Sequence, residues 1–420
     1  MDRRCDRPKL FRMSKMKTDI LISGGGVAGL TAAAAFGTAG FDVICVDPAP
    51  PVIDRDAAGA DLRSTAFLQP ARDFLDRAGI WDRLAPHASP LQIMRIVDAG
   101  GEAPEPRLTK DFDASDIGDL PFGWNLPNWL LRREISARLD ELPSVNFRPG
   151  TGTARVFTRS RQALVTLSDG TKVEAKMVIA ADGRNSPVRE ALDIPVRTTR
   201  YGQKALAFAV THPIPHENVS TEVHRSGGPF TLVPLPDRDG VPSSAIVWME
   251  DGPEVARLAA LPGADFNAEM TTRSCALYGP LTLASARTVW PIISQVADRM
   301  YGERTALVAE AAHVVPPIGA QGLNMSLGDL RVLLNLAVET PHLIGERAML
   351  EAYHKARHTE VRARVAGVDL LNRTSQLEAQ PLRNARAIGL NALYSVGPVR
   401  KTLMQLGLGV SGAQTPTPDR

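Results

Sequence analysis

The sequence predicts an α/β (α+β) chain: a parallel strand–helix–strand unit, an inserted antiparallel sheet, and helices at the C-terminal end. Three observations predict it. Residues 18–23 read as a short buried strand, and Gly24, Gly26 and Gly29 follow in the spacing G-x-G-x-x-G. A small-residue helix over 32–39 then leads to a second apolar run, 41–46, ending at Asp47. Runs at 205–210, 230–234 and 244–248 alternate as strands with one covered face do. Finally, a strand-like run at 307–309 ends in Glu310, a Pro316-Pro317-Ile318-Gly319 turn follows, and helical spacing starts near Gly322-Leu323-Asn324 and continues to 409.

Each part of the first unit has a physical reason. Gly24 permits the tight turn, Gly26 lets backbone approach a pyrophosphate, and Gly29 lets helix and strand pack closely. The helix N-terminus presents its positive dipole end to the phosphates. Asp47, about twenty residues on, can accept hydrogen bonds from a ribose diol. A glycine fingerprint set between a strand and a helix, with an acid ending the next strand, identifies a Rossmann-like dinucleotide site.

Further along, residues 48–51 read as a loop. Residues 61–66 lead into an amphipathic helix through 75 and toward 84, with Arg63 at its start. Residues 95–98 read as a strand, 100–121 as extended chain or loop, and 130–142 as a helix. Strands are expected at 145–147, 154–157 and 163–167, with a hairpin turn at 168–171. A buried strand at 176–180 ends in Ala181-Asp182-Gly183-Arg184. The resulting division is a discontinuous nucleotide-binding domain (17–90, 124–192 and 285–340) and a substrate domain (91–123 and 193–284). A helical region (341–409) and flexible tails (1–16 and 410–420) complete it.

A chain of 420 residues suits two domains. The net charge of +2, 48 basic minus 46 acidic residues, argues against nucleic acid. Cys5, Cys45 and Cys275 show no paired spacing, so reduced thiols are expected. No His/Cys cluster has metal-ligand spacing, so no metal is expected. No run approaches the length of a membrane-spanning helix. The basic N-terminus lacks the apolar stretch of a secretory signal. A cytoplasmic protein is expected, with contact at the inner face of the membrane as a further option.

The Gly24–Gly29 fingerprint, the Asp182-Gly183 turn and the Glu310 segment occur in that order. In this the chain resembles the FAD-dependent aromatic hydroxylases, the single-component flavin monooxygenases, from about Lys17 to Gly409. Within them it most resembles the ubiquinone-biosynthesis hydroxylases. The segments that carry this are Asp61-Leu62-Arg63-Ser64-Thr65-Ala66, Gly123-Trp124-Asn125-Leu126-Pro127-Asn128, Ala309 to Pro317, and Asp369-Leu370-Leu371-Asn372-Arg373. The resemblance implies FAD as cofactor, O₂ as cosubstrate, and NAD(P)H or another donor as reductant. It implies hydroxylation of a polyprenylated phenol through a flavin C4a-hydroperoxide, beside other quinone-biosynthesis proteins. Two departures stand out. Ala309 occupies a place where the family usually has Gly, with Glu310 where it often has Asp. Gly328 stands where the family usually has Arg.

The resemblance also implies roles. Pro317 and Gly319 form the wall over the flavin's reactive face. The N–H groups near Gly322, Leu323 and Asn324 stabilise charge on the reduced ring. Glu310 binds the ribityl chain, Asp182 the ribose or pyrophosphate, and Arg63 and Arg132 the pyrophosphate. His313 is either a catalytic base or a side chain that pins the turn. Tyr201 and Gln203 either face the ring pocket or are ordinary sheet residues. Arg357, Arg362, Arg364, Arg383, Arg386 and Arg400, set among apolar residues, either form a solvated helix face or graze an anionic membrane. Two competing functions stay open: a hydroxylase of a small soluble aromatic, and a non-catalytic prenyl-binding protein of the same fold.

Overall fold

A computed structural model describes residues 15–225, 227–377 and 379–408. Its first sheet is built on five parallel strands. Lys15–Ser23 pairs with Lys172–Ala180 on one side and Val43–Asp47 on the other. Val145–Pro149 and Thr305–Leu307 extend the two ends. Ile20, Leu21 and Ile22 are fully buried, as strands covered on both faces must be. The helix Val27–Thr38 lies on this sheet, with Ala32, Ala33 and Ala34 fully buried. Its small residues let helix and sheet approach closely. Ser23, Asp47, Ala180 and Leu307 end their strands at one edge, where an open α/β sheet binds its ligand.

Among the described residues the second sheet has nine strands. Val196–Thr211, Val241–Asp251, Pro229–Arg238 and Val219–His224 pair antiparallel in that order. Val219–His224 then pairs parallel to Ile93–Asp98, a departure from the all-antiparallel expectation. One face packs on helices Gly252–Ala260 and Gly263–Arg273 through Phe208, Phe230, Trp248, Phe266 and Met270. The other face meets the long helix Arg347–Ser375. A small third sheet joins Ser64–Leu68, Gly123–Pro127 and Ser89–Leu91.

Several elements differ from the sequence reading. Arg63 precedes a strand, not a helix. Ser64–Leu68 pairs with Gly123–Pro127, and the helix begins only at Gln69, with Pro70 in its first turn. Leu108–Asp113, within the stretch read as extended chain or loop, is a strand paired with Ile93–Asp98. Thr288–Ala297, assigned to the nucleotide-binding domain, runs along Val196–Thr211 in the second sheet. His313–Val314 pairs with it and ties the Glu310 motif to that sheet. Lys15 and Met16, set with the N-terminal tail, belong to the first strand. Cys5 and the tail 410–420 lie outside the described residues. Helices Gln321–Glu339, Arg347–Ser375, Gln380–Ser395 and Gly397–Leu408 form the C-terminal part.

Candidate active site

The glycine turn divides its labour sharply. A Cβ on Gly24 would stand 2.3 Å from the Ala181 carbonyl oxygen, and one on Gly29 would stand 1.8 Å from that of Gly24. Both positions are closed by protein. A Cβ on Gly26 would meet nothing within 4 Å among the described residues, so its backbone faces an open cradle. That is the space a pyrophosphate needs. Asp47 is oriented by backbone: its Oδ2 accepts from Gly25 N–H at 2.6 Å and its Oδ1 from Ala49 N–H at 2.9 Å. A carboxylate offers about four acceptor sites, which leaves room for a ribose diol.

Arg63 forms a two-pronged pair with Asp61, Nε to Oδ1 at 2.8 Å and Nη2 to Oδ2 at 2.7 Å. Its guanidinium lies 4.2 Å from the Trp290 ring centre. Arg132 stands 3.7 Å from the same carboxylate. Burial alone would raise the Asp61 carboxyl, but the Arg63 hydrogen bond and the charges of Arg63 and Arg132 outweigh it and hold it low. The two arginines are thus gathered by one buried acid. The Glu310 charge also acts on Arg63.

Asp182 sits at the end of Lys172–Ala180. Its Oδ2 accepts from Ser23 Oγ at 3.4 Å and Val188 N–H at 3.3 Å. Its Oδ1 is buried without a partner among the described residues, and burial raises the carboxyl above its ordinary value. A buried acceptor with no donor costs stability unless a ligand supplies one. Together with the open cradle at Gly26, this orphan shows that the residues present fit a dinucleotide.

The second turn follows Thr305–Leu307. Ala309 adopts φ +53°, and Glu310 projects outward, with Arg184 Nε 3.4 Å away. Gly319 and Ala320 are both left-handed, at φ +62° and +55°. Pro317 lies inside this turn, and Ile318 N–H closes it on the Pro316 carbonyl at 2.8 Å. The N–H groups of Gln321, Gly322 and Leu323 open the next helix and have no intrahelical acceptor. A Cβ on Gly322 would also meet nothing within 4 Å among the described residues.

Two predicted residues serve the turn rather than the chemistry. His313 is 2 % exposed, and its Nε2 pairs with Asp329 Oδ2 at 2.6 Å. Asp329, fully buried, also accepts from Arg357 Nε at 2.8 Å. This locked imidazole is not placed as a base for a substrate proton. The Asn324 side chain donates to Ala66 O at 2.7 Å and Ala320 O at 2.6 Å, and accepts from Leu68 N–H at 2.9 Å. It stitches the helix to the strand Ser64–Leu68 and has little left for a cofactor. Gly328 also gains a reason. A Cβ there would come within 3.1 Å of Arg357 Nη2, so Arg357 brings its guanidinium to the position that lacks one.

Tyr201 and Gln203 lie on a bulge. Between Arg200 and Lys204 the register against Thr288–Ala297 shifts, and Gly202 has φ +76°. The bulge aims both side chains at the helix Arg347–Ser375. Tyr201 Oη meets Asp369 Oδ1 at 2.5 Å and Ser294 Oγ at 2.8 Å. Burial and the Asp369 carboxylate push its hydroxyl up to about 12. Gln203 Oε1 accepts from Asn372 Nδ2 at 3.0 Å. Beside them Ala205, Met249, Ile292, Ile318 and Val368 form one apolar cluster, in which Ile318 comes from the Pro–Gly turn. Sequence reasoning missed Ser294, Asp369 and Asn372 as partners. Asn372 carried a signal, since it falls on the buried stripe Val361, Val365, Val368 of its helix.

The sequence matches the FAD binding domain family over residues 17–367. It is 34% identical over 397 residues to ubiquinone hydroxylase UbiL of Rhodospirillum rubrum, covering 93% of this chain and 89% of that protein. It is 27% identical over 414 residues to the 3-demethoxyubiquinol 3-hydroxylase of Escherichia coli, covering 95% and 100%. Among solved structures, p-nitrophenol 4-monooxygenase PnpA from Pseudomonas putida superposes with a TM-score of 0.78 at 18% identity, covering 96% of this chain and 100% of that one. PqsL from Pseudomonas aeruginosa, in complex with 2-aminobenzoylacetate, gives 0.73 at 22% identity, covering 89% and 100%. These two likenesses show the fold alone. The family match and the relative in R. rubrum show more: this chain belongs to the FAD-dependent aromatic hydroxylases, in the family of the ubiquinone hydroxylases, and is a monooxygenase that uses FAD, with O₂ as cosubstrate and NAD(P)H or another donor as reductant.

Proposed function

We propose that this chain hydroxylates the ring of a polyprenylated phenol on the route to ubiquinone. The observation that carries the reading is the apolar cluster of Ala205, Met249, Ile292, Ile318 and Val368, with Tyr201 and Gln203 at its edge. It puts a buried apolar cluster directly against the turn that the flavin reading assigns to the reactive face. The names of the relatives in R. rubrum and E. coli agree with a quinone-precursor substrate.

FAD, when bound and reduced by NAD(P)H or another donor, would supply the oxygen activation. The chain supplies the rest. Gly24, Gly26 and Gly29 shape the pyrophosphate cradle, with Arg63 and Arg132 beside it. Asp47 and Asp182 accept from ribose hydroxyls, and Glu310 from the ribityl chain. The free N–H groups at Gly322 and Leu323 face developing negative charge on the ring system. Pro317 and Gly319 wall the reacting space and exclude water. Tyr201 orients the substrate hydroxyl, held by Asp369 and Ser294. The reading also places the enzyme against the membrane that holds such a substrate, beside other quinone-biosynthesis proteins.

The test is reductant-dependent hydroxylation of phenols with increasing prenyl length, in detergent. Each buried CH₂ stabilises the complex by about 0.8 kcal/mol. Remote binding energy of this kind can also orient the ring, so kcat/KM should rise steeply over the first few isoprene units. A short soluble phenol turned over equally well would replace this reading with that of a catabolic hydroxylase.

A further inference from the structure

The second sheet carries a charged cleft on the face turned away from the Pro–Gly turn. Met249 belongs to the apolar cluster beside that turn, so its strand neighbours Trp248 and Glu250 point to the opposite face. There they line a cleft of about 380 Å³ together with Arg225, Arg273 and Arg383. These three arginines lack the acids that buried arginines ordinarily find. Arg273 is 6% exposed, and its terminal nitrogens donate to the carbonyls of Val223 at 3.1 Å and Gly228 at 2.6 Å. Its Nε has no hydrogen-bond partner among the described residues. Glu250 Oε1 stands 3.7 Å from that nitrogen, beyond hydrogen-bond reach. Among the described residues, the Arg225 side chain reaches only the Glu102 carbonyl, at 3.4 Å, and the Arg383 side chain has no hydrogen bond or ion pair. Arg386, one helical turn from Arg383, is by contrast held by Asp98 at 3.0 Å.

The acids around the cleft do not cancel these cations. Glu254 and Glu269 bond to Arg257 at 2.6 and 3.0 Å. Burial pushes the Glu250 carboxyl up to about 7, against the pull of Arg273, so a large share of it is neutral at neutral pH. Glu102 is exposed to water. The unsatisfied buried groups at the cleft, the Nε atoms of Arg273 and Arg383, are both donors on cations. A ligand that completes them must bring acceptor oxygens and negative charge.

We propose that this cleft binds a small organic carboxylate, whose oxygens accept from the N–H groups that Arg225, Arg273 and Arg383 leave open. The volume is that of a small-molecule site. A carboxylate is acceptor-only and matches guanidinium in shape and charge. A phosphate dianion would bring twice the charge toward the carboxylates of Glu102, Glu254 and Glu269, which favours the carboxylate. The cleft also shares a turn with the substrate side of the sheet. The adjoining carbonyls of Gly227 and Gly228 accept from Gln203 and from Arg273, each at 2.6 Å.

The experiment is calorimetric titration of the FAD-loaded full chain with succinate, and with inorganic phosphate for comparison. Succinate should bind saturably, one per chain, and phosphate at least about tenfold more weakly. Arg225→Met and Arg383→Met should each weaken succinate at least about tenfold. Neither side chain holds an ion pair among the described residues, so flavin content and melting temperature should stay at wild-type values and certify the fold. Glu250→Gln should tighten succinate, because it removes the carboxylate that competes for Arg273. Because the cleft faces away from the Pro–Gly turn, succinate should leave the flavin absorbance unchanged and should not compete with a prenylated phenol. Absence of succinate binding would overturn the proposal, as would affinity that both arginine variants retain or that Glu250→Gln weakens. Phosphate binding as tightly as succinate would overturn the carboxylate assignment. A shifted flavin spectrum, or competition with the phenol, would place the succinate at the flavin edge and refute the cleft.

Discussion

The turn at Gly24–Gly29 is shaped by side chains that are missing; the turn at Ala309–Gly322 is shaped by partners brought from far away. In the first, Gly24 takes φ +108° and the would-be Cβ positions of Gly24 and Gly29 are filled by backbone oxygens. In the second, Ala309 and Ala320 hold left-handed φ values of +53° and +55°, where a non-glycine residue costs about 1–2 kcal/mol. Something must offset that cost. Asn324 fastens the turn to Ala66, Leu68 and Ala320, and His313 fastens it to Asp329 and so to Arg357. One turn is encoded in six consecutive residues. The other depends on Arg357, nearly fifty residues beyond Ala309.

The largest expected effect separates two glycines of the first turn. Gly29→Val drives a side chain into backbone, which cannot turn aside, so destabilisation on the order of 4 kcal/mol is expected. Gly26→Val meets only the open cradle. It should leave the melting temperature of the apoprotein unchanged while FAD is lost on gel filtration. If Gly26→Val retains full flavin, the cradle is not the phosphate site.

The second turn should break from a distance. Asp329→Asn removes the charge between His313 and Arg357 in a fully buried site, and a loss of about 3 kcal/mol is expected. The loss should appear in both stability and FAD retention. Burial raises the Asp329 carboxyl, but the charges and hydrogen bonds of His313 and Arg357 outweigh it and hold it below the ordinary range. A depressed carboxylate contributes stability that is present above the unfolded value, about 3.9, and is lost as pH falls through the folded one. Acid melting curves of wild type should therefore decline more steeply than those of Asp329→Asn, in which the other depressed carboxylates, such as Asp61 and Asp98, remain. Parallel curves would mean that the network does not hold the turn.

This contrast also explains what the sequence made legible. The parallel unit and its cofactor edge were readable because their causes are local: glycine spacing, apolar runs and the acids that end strands. Ser64–Leu68 was not, because a helical apolar period from Gln69 onward extends back across it. Its strand character comes from pairing with Gly123–Pro127. Tyr201 and Gln203 were located, but the bulge that aims them exists only against Thr288–Ala297. His313 was legible as a histidine after an acid. Its lock, Asp329 and Arg357, is tertiary. The arginines at 386 and 400 look like a solvated face because that is how most helices distribute charge, and Asp98 and Asp116 reverse them.

A smaller effect is expected at the acid of the second turn. Glu310 is half exposed, with Arg184 at 3.4 Å, so its removal should not unfold the chain. A charge-assisted hydrogen bond to the ribityl chain contributes about 1.5–3 kcal/mol. Glu310→Ala should thus weaken FAD at least about tenfold in a fluorescence titration. Unchanged affinity would remove Glu310 from the site and leave its role to Asp182.

The smallest effect gives the most direct test of the comparison. Ala309 keeps a Cβ at φ +53° and is only 7% exposed. A glycine in its place would relieve about 1–2 kcal/mol of left-handed strain, but glycine gives back roughly 0.5–1 kcal/mol through the greater freedom of the unfolded chain. Ala309→Gly should therefore change stability by no more than about 1.5 kcal/mol, in the stabilising direction, with FAD affinity equal or somewhat tighter. The near-cancellation is itself informative. If distant partners hold the turn, the residue at its bend matters little, and the alanine is tolerated for that reason. A clear loss of melting temperature or of FAD affinity in Ala309→Gly would show that the methyl group packs usefully. The second turn would then be encoded in its own residues, as the first is.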